Sequence, residues 1–316
     1  MFIKQHSEIR ASKGKGYLLY FPMYHPIGRA FRLLCEETFE QVQEIDIPFR
    51  PVDMSLIVIG SCNGLLCLSD SRRFGTAIYL CNPYIRRYRV INHPISGVVR
   101  SSDPINDNVT LGFGYYDKTN DYKIIRIEAL SDEHDDYLDL SFKYHKTAKH
   151  TKVEYRLVVC DSVHWKAYYR EANKDVLVIL AFHLGNETFQ QIRLPNYEVG
   201  GEDMMECITL YKGNLSLFLF NHVDHQHPWQ EQYCYLWVMK EYGVYGSWTK
   251  TLTITVAPGI VRPLGFTRND EIIFEDYEQD LVMCRFDSST AKVLKVKATG
   301  LLYFGSYMDS LVLLSG

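Results

Sequence analysis

The sequence predicts an all-β fold of the kelch-like propeller type, on three observations. Aromatic residues are plentiful, 23 Tyr, 16 Phe and 4 Trp in 316 residues, and they are mixed with Val, Ile and Thr, which fit a pleated, half-buried strand. Short β-favouring runs recur between clusters of Gly, Asn, Asp, Pro and Ser, while helical periodicity is scarce. The runs also repeat at a period near 50 residues, the spacing of kelch-like blades of four strands each.

In chain order the hairpin starts read KGYLLYF (15–21), SCNGLLCL (61–68), LGFGYYD (111–117), DSVHWKAYY (161–169), YKGNLSLFLF (211–220) and RNDEIIFE (268–275). With Gly16, Gly64, Gly112, Ser162, Gly213 and Asp270 as anchors, the steps are 48, 48, 50, 51 and 57 residues. A second hairpin follows in IYLCNPYIRRYRVI (78–91), VILAFHLGNETFQQIRLP (178–195), LWVMKEYGVYGSWTK (236–250) and LVMCRFDSSTAKVLKVKA (281–298). Each sets an apolar strand, a polar turn and a bulky residue leading the next strand. Six blades result, with seven as the alternative. MDSLVLLSG (308–316) is too short for a blade of its own and is expected to pair with the N-terminal unit, closing the ring so that no long sheet edge stays open.

Within 236–250, Trp237 and Met239 alternate with Val238, so successive side chains serve opposite faces of a strand, and Gly243 and Gly246 supply the turn. Trp248, with Tyr88 and Phe189 in sister units, is expected to wedge one blade against the next.

Composition excludes several function classes. Lys plus Arg number 34 against 38 Asp plus Glu, a net charge of −4, which argues against sequence-independent nucleic-acid binding. The longest apolar runs, VLVILAF (176–182) and LSLFLF (215–220), fall far short of a membrane span. The start, MFIKQHSEIR, has no signal-peptide core. The 8 cysteines lie scattered inside apolar runs and read as reduced, buried and intracellular. Asn108, Asn186 and Asn214 head N-x-[ST] sequons that read as chance matches.

Candidate chemistry is thin. His222, His225 and His227 with Asp224 could in principle ligate zinc, but no second ligand group accompanies them, and a solvated, partner-facing loop is the preferred reading. Cys62 and Cys67, placed on one strand, point to opposite faces and read as packing. GFGYYD (112–117) lacks the third glycine and the helix of a dinucleotide site. DEHDDYLD (132–139) lacks the glycine and closing Glu of a calcium loop. No G-x-S-x-G elbow occurs, and no carboxylate pair stands out for acid/base work. Arg86, Arg87 and Arg89 with Tyr84 and Tyr88 form the densest basic patch, but on a regular strand 86 and 88 would face away from 87 and 89, which splits it. No cofactor, metal or catalytic residue is expected.

In order along the chain, IGSCNGLLCL, CNPYIRRYRVI, LGFGYYDKTNDYKIIRI, SVHW, ILAFHLGNETFQQIRLP and LWVMKEYGVYGSWTK resemble the F-box associated domain of plant F-box proteins, often called F-box/kelch-repeat proteins. The resemblance covers about residues 15 to 314. It implies an F-box associated β-propeller over 15–316, and residues 1–14 as the remnant of an F-box C-terminal end and linker, in which Phe2, Ile3 and His6 match the family's F-I-x-x-H ending. The chain departs from the family after VEYRL (153–157), where VVCDSVHW follows almost at once, so one blade is expected to be shortened.

By this resemblance the domain selects a target protein for an SCF-type ubiquitin ligase and is not an enzyme. A Skp-type adaptor and cullin join only where a complete F-box is present. A truncated decoy, or a propeller hydrolase acting on sugars, are the rivals. The loops 22–30, 99–108, 131–150 and 221–231 are expected to carry the binding surface, with Tyr24, Tyr144, His225 and Trp229 as aromatic anchors. The expected location is the cytoplasm, the nucleus or both.

Overall fold

A computed structural model of the chain describes residues 16–22, 30–49, 56–70, 77–92, 109–128, 157–159, 161–171, 174–197, 204–221, 232–256, 259–285, 291–297, 301–307 and 310–312. The chain divides into two compact units, Met1–Ile47 with Pro195–Leu311, and Pro48–Leu194 with Val312–Gly316. The first unit opens with strands β1 (Tyr17–Pro22), β2 (Ala30–Cys35) and β3 (Gln41–Asp46). The second holds β4 (Leu56–Cys62), β5 (Leu65–Asp70), β6 (Ala77–Asn82), β7 (Arg87–Asn92), β8 (Val109–Tyr116), β9 (Asp121–Glu128), β10 (Leu157–Val159), β11 (Ser162–Glu171), β12 (Lys174–His183) and β13 (Thr188–Arg193). The chain then re-enters the first unit as β14 (Met204–Tyr211), β15 (Asn214–Asn221), β16 (Gln232–Met239), a 3₁₀ turn (Tyr245–Ser247), β17 (Trp248–Val256), β18 (Ile260–Phe266), β19 (Ile272–Asp276), β20 (Asp280–Cys284), β21 (Ala291–Lys297) and β22 (Leu301–Tyr307). No helix among the described residues is long and apolar enough to cross a membrane.

The second unit contains the sheets β4-β5-β6-β7 and β10-β11-β12-β13 and the hairpin β8-β9. The first contains β22-β1-β2-β3, β14-β15-β16-β17 and β18-β19-β20-β21. Against the expected six four-stranded blades, the described residues thus form five four-stranded antiparallel sheets and one two-stranded hairpin. The hairpin immediately precedes the stretch where the sequence reading places a shortened blade, and residues 129–156 lie outside the described ones.

The strand that joins the chain's two ends differs from the expected one. β22, not 308–316, completes the first sheet, with Leu19 opposite Gly305 and Tyr20 opposite Phe304. LLYFGSY supplies a full strand, whereas the described residues after it, Ser310–Val312, form none.

The anchor residues explain themselves at the turns. Asn63 and Gly64, at φ 48° and 74°, and Lys212 and Gly213, at 49° and 79°, close two-residue hairpins in which both central residues are left-handed, as a type I′ turn requires. Asp161 and Asp270 take φ 60° and 62° at the corresponding places in their sheets. Gly112 is different, because it lies inside β8. A Cβ there would run into the Trp165 ring and come within 2.9 Å of Val163 Cγ1, so its role is close packing.

Within each unit, consecutive sheets pack face to face through alternating inward side chains. In the first unit Phe218, Cys234, Leu236 and Val238 pack against Ile272, Phe274, Val282 and Cys284, and Leu18, Tyr20, Leu34 and Phe304 against Ile273, Leu281 and Met283. In the second, Ile57, Ile59, Leu65 and Cys67 meet Leu111 and Phe113, and Tyr116 and Ile125 meet Val163, Trp165 and Leu184. Each fully buried large apolar side chain contributes about 1.5–3 kcal/mol.

Buried polar groups tie neighbouring sheets where their backbones diverge. Gln232 in β16 both donates to and accepts from the Ile260 backbone of β18, at 2.9 Å each way. Glu36, beyond β2, accepts from the Arg268 backbone N–H at 2.6 Å and from its guanidinium at 3.2 Å. The Trp165 indole donates to the Leu111 carbonyl at 3.0 Å. Burying such groups unpaired would cost about 1–3 kcal/mol each, so these bonds fix which sheets meet.

Along β16, Gln232, Cys234, Leu236 and Val238 are buried while Tyr235 and Trp237 are half-buried, an alternation that ends at the buried Met239. Gly243 takes φ 79°, but Gly246 lies in the 3₁₀ turn without a left-handed φ. Trp248 is buried and sits opposite Met239. Phe189 meets Phe182 edge-on at 4.9 Å. Tyr88 departs from the wedge role expected of it: it is 45% exposed, because β7 is the outermost strand of its sheet.

Candidate interaction surface

The sequence-chosen anchors Tyr24, Tyr144, His225 and Trp229, the His222–His227 cluster, and Phe2, Ile3 and His6 all lie outside the described residues. Among the described residues the exposed aromatic surface concentrates elsewhere. Tyr84, Tyr88 and Val90, at 43%, 45% and 40% exposure, fall within seven positions of each other, together with exposed Arg86, Arg87 and Arg89.

This strip is built from a buried asparagine upward. Asn82, fully buried at the end of β6, accepts the backbone N–H groups of Tyr84 at 3.1 Å and Ile85 at 3.4 Å, while its amide nitrogen donates to the Val312 carbonyl at 2.9 Å. Side-chain capture of N–H groups two and three residues on forms an Asx turn, and the following Pro83 presets its backbone. The turn closes with Arg86 donating to the Pro83 carbonyl at 3.4 Å and taking φ 53°. The left-handed Arg86 interrupts the strand alternation on which the patch appeared split. It belongs to the turn, and Arg87 and Arg89 share one face of β7.

The opposite face is backed by packed rings. Tyr88 tilts onto Phe49 with ring centroids 5.0 Å apart, and Phe49 stacks on Tyr79 at 4.4 Å and 8°. The Tyr79 hydroxyl donates to Asp70 at 3.1 Å. Tyr88 is therefore exposed yet held from behind, the arrangement of a preorganised anchor.

A second projection is the β16–β17 turn. Ser247 Oγ accepts the Glu241 N–H at 3.1 Å and lies 2.8 Å and 2.7 Å from the Glu241 and Val244 carbonyl oxygens, one of which takes its proton. Gly243 N–H points at Met239 Sδ, 3.1 Å away. The turn holds Val244 and Tyr245 out at 42% and 49% exposure.

The buried carboxylates among the described residues are engaged by arginines and a tyrosine. Glu36, Glu271 and Glu275 are buried against Arg268, Arg285 and Arg262, the last two pairs at 2.7 Å, and Asp70 accepts from Tyr79, so these carboxylates serve as structural ties. No group of three or more His, Cys, Asp or Glu among the described residues could hold a metal ion. Cys62 and Cys67 are not on one strand, as the sequence reading placed them, but on β4 and β5 across the Asn63–Gly64 turn, and both pack into the same core. Burial pushes the Cys62 thiol up to about 11, Cys81 to about 12 and Cys284 to about 11, and raises Cys234 as well. Thiols so raised stay protonated at neutral pH, which suits packing and not ligation.

The Asn-Pro pair that starts the strip is a turn signal visible in the sequence. What sequence could not show is that Asn82 reaches a carbonyl 230 positions away.

Comparison with known proteins agrees with this fold. The F-box associated beta propeller domain matches over residues 32–307. F-box protein CPR1 of Arabidopsis thaliana is 24% identical over 298 residues, covering 83% of this chain and 68% of its own length. An F-box/kelch-repeat protein of the same plant is 25% identical over 69% of this chain and 58% of its own, and a further F-box protein 24% identical over 67% and 53%. The chain thus spans between about half and two thirds of the relatives it matches. A solved structure of a Bacteroides caccae protein of unknown function covers 88% of this chain and 72% of its own at 11% identity and a TM-score of 0.31, too slight a likeness to bear on the fold. With the family's domain matched over residues 32–307, and the described strands arranged in five four-stranded antiparallel sheets and one hairpin, this chain belongs to the F-box associated β-propeller family.

Proposed function

We propose that the chain is the target-binding domain of an F-box protein, a non-catalytic receptor that holds a protein for ubiquitin transfer by an SCF-type ligase. The observation that carries this reading is the family match over 32–307 together with three relatives that are F-box proteins. The preorganised Tyr84–Val90 strip supports it, since rigid aromatic and arginine side chains are the usual anchors of protein interfaces. In this reading β8–β9 counts as a sixth, kelch-like blade. The Skp-type adaptor and cullin would join through an F-box ahead of the domain, in the cytoplasm or nucleus.

The test is a paired pull-down of this chain alone and of the chain with a family F-box fused before Phe2. The reading expects the fusion alone to recover adaptor and both forms to recover one shared partner that competes for the same surface. Two folded proteins with no shared partner would overturn it.

A further inference from the structure

We infer that the outer edge of β7 is a docking site for an extended acidic segment of a partner protein, added to the sheet as a further strand. This deepens the target-binding reading above and rests on it for what the segment belongs to. Four observations combine.

First, β7 pairs with β6 on one side, and no other strand among the described residues pairs with its far edge. Strand addition uses the backbone N–H and C=O groups that a sheet edge carries at strand spacing.

Second, the charge is of one sign. Between Asp70 and Asp103 the chain has six arginines (72, 73, 86, 87, 89 and 100) and no Asp or Glu, in a protein whose net charge is −4. No ion pair within the described residues engages Arg86 or Arg87. By contrast, Arg262, Arg268 and Arg285 each hold a buried carboxylate.

Third, charge alone would be read as a guard against edge-to-edge aggregation. A guarded edge has no use for exposed Tyr84, Tyr88 and Val90 on the same turn and strand. Tyrosine interleaved with arginine is the composition of an interface core.

Fourth, the strip is ordered in advance. The Asn82 turn fixes Tyr84 and Arg86, and the Phe49–Tyr79 stack backs Tyr88, so little side-chain entropy is lost on binding.

Together these select the occupant. A second copy of this chain on the same edge would set arginine against arginine, and like charges directly opposite destabilise a strand pair. An extended segment with carboxylates at every second position meets Arg87 and Arg89 on one face. Its alternate small apolar side chains meet Tyr88 and Val90 on the other.

The test uses the full chain and three labelled probes: a peptide alternating Glu and Val, its Lys and Val counterpart, and oligothymidylate. Fluorescence anisotropy measures binding, and hydrogen exchange measures protection of β7. Arg87→Glu with Arg89→Glu, both exposed, is compared only after its melting curve shows a cooperative, folded protein. The expected result is binding of the acidic peptide only, slowed exchange over 87–92, and a loss of at least about tenfold in the double variant.

Acidic-peptide binding that the double variant leaves intact, or that occurs without protection of β7, would overturn the site. Absence of binding by the acidic peptide would overturn it as well. Tighter binding of oligothymidylate, lost in the same variant, would make the strip a nucleic-acid surface and overturn the peptide assignment. The partner recovered in the pull-down separates the two readings: if the double variant still recovers it, target binding stands and this edge is not its site.

Discussion

Gly112 offers the sharpest prediction about the fold, because the sign of the effect decides it. Glycine inside a strand ordinarily costs about 0.5–1 kcal/mol relative to alanine, so Gly112→Ala in a roomy strand should stabilise. Here the added Cβ would strike the Trp165 ring and lie 2.9 Å from Val163 Cγ1. Neither neighbour can yield easily: Trp165 is 5% exposed with its indole bonded to the Leu111 carbonyl, and Val163 is fully buried. Overpacking of this kind costs about 1–3 kcal/mol, so the variant should be less stable by a net ~1–2 kcal/mol.

Trp165→Ala alone should cost about 3–5 kcal/mol. With the ring gone, the Gly112→Ala change should become neutral or stabilising. A double-mutant cycle by urea unfolding should therefore show a coupling of about 2 kcal/mol. Additive effects, or a stabilising Gly112→Ala in the otherwise unchanged protein, would refute the claim that β8 and β11 pack through this glycine.

Three further outcomes follow from the buried polar ties and thiols. Asn82→Ala strips partners from two N–H groups and the Val312 carbonyl, and should cost about 2–4 kcal/mol by thermal unfolding while loosening the Tyr84–Arg86 turn; a loss under about 0.5 kcal/mol would count against the Asx turn as a structural centre. Gly16→Ala would drive a Cβ into the Glu36 carboxylate, so it and Glu36→Ala should each weaken the tie to Arg268, with less than additive loss when combined. Stability should also fall in alkali. Burial raises Cys81 from 9.0 to about 12, so the folded state keeps a proton the unfolded chain has released, and its contribution, complete below 9.0, is lost as pH rises toward about 12. The slope is about 1.4 kcal/mol per pH unit at most, and it should be shallower in Cys81→Ala.

Much of the architecture could be read in the sequence because β-hairpins are local. Asn63-Gly64, Lys212-Gly213 and Asp270 mark turns by backbone chemistry that needs no distant partner. The closing strand could not be read the same way. LLYFGSY and the run after it are both short and apolar, and what selects the first is a register with Tyr17–Pro22 nearly 300 residues away. Gly112 matched the repeat spacing yet serves packing, which only the position of Trp165 reveals. Cys62 and Cys67 were misplaced for a related reason, since the turn between them is just two residues long.

The candidate surface was half legible. Arg86, Arg87, Arg89, Tyr84 and Tyr88 stand out as a basic aromatic cluster in composition. Strict alternation appeared to divide them, because nothing in the sequence announces that Arg86 turns left-handed. Nor does sequence show that β7 is outermost in its sheet, with no described strand beyond it.

The central claim is that this domain chooses what an F-box protein delivers for modification. The most direct measurement is reconstituted ubiquitination of the protein recovered by the chain, using the chain fused behind a family F-box with adaptor, cullin and ubiquitin-charging enzymes supplied. The account predicts modification of that protein with the fusion and none with residues 1–316 alone, whose excess should inhibit by competing for the same target. Modification at the same rate by the F-box without this domain would contradict it.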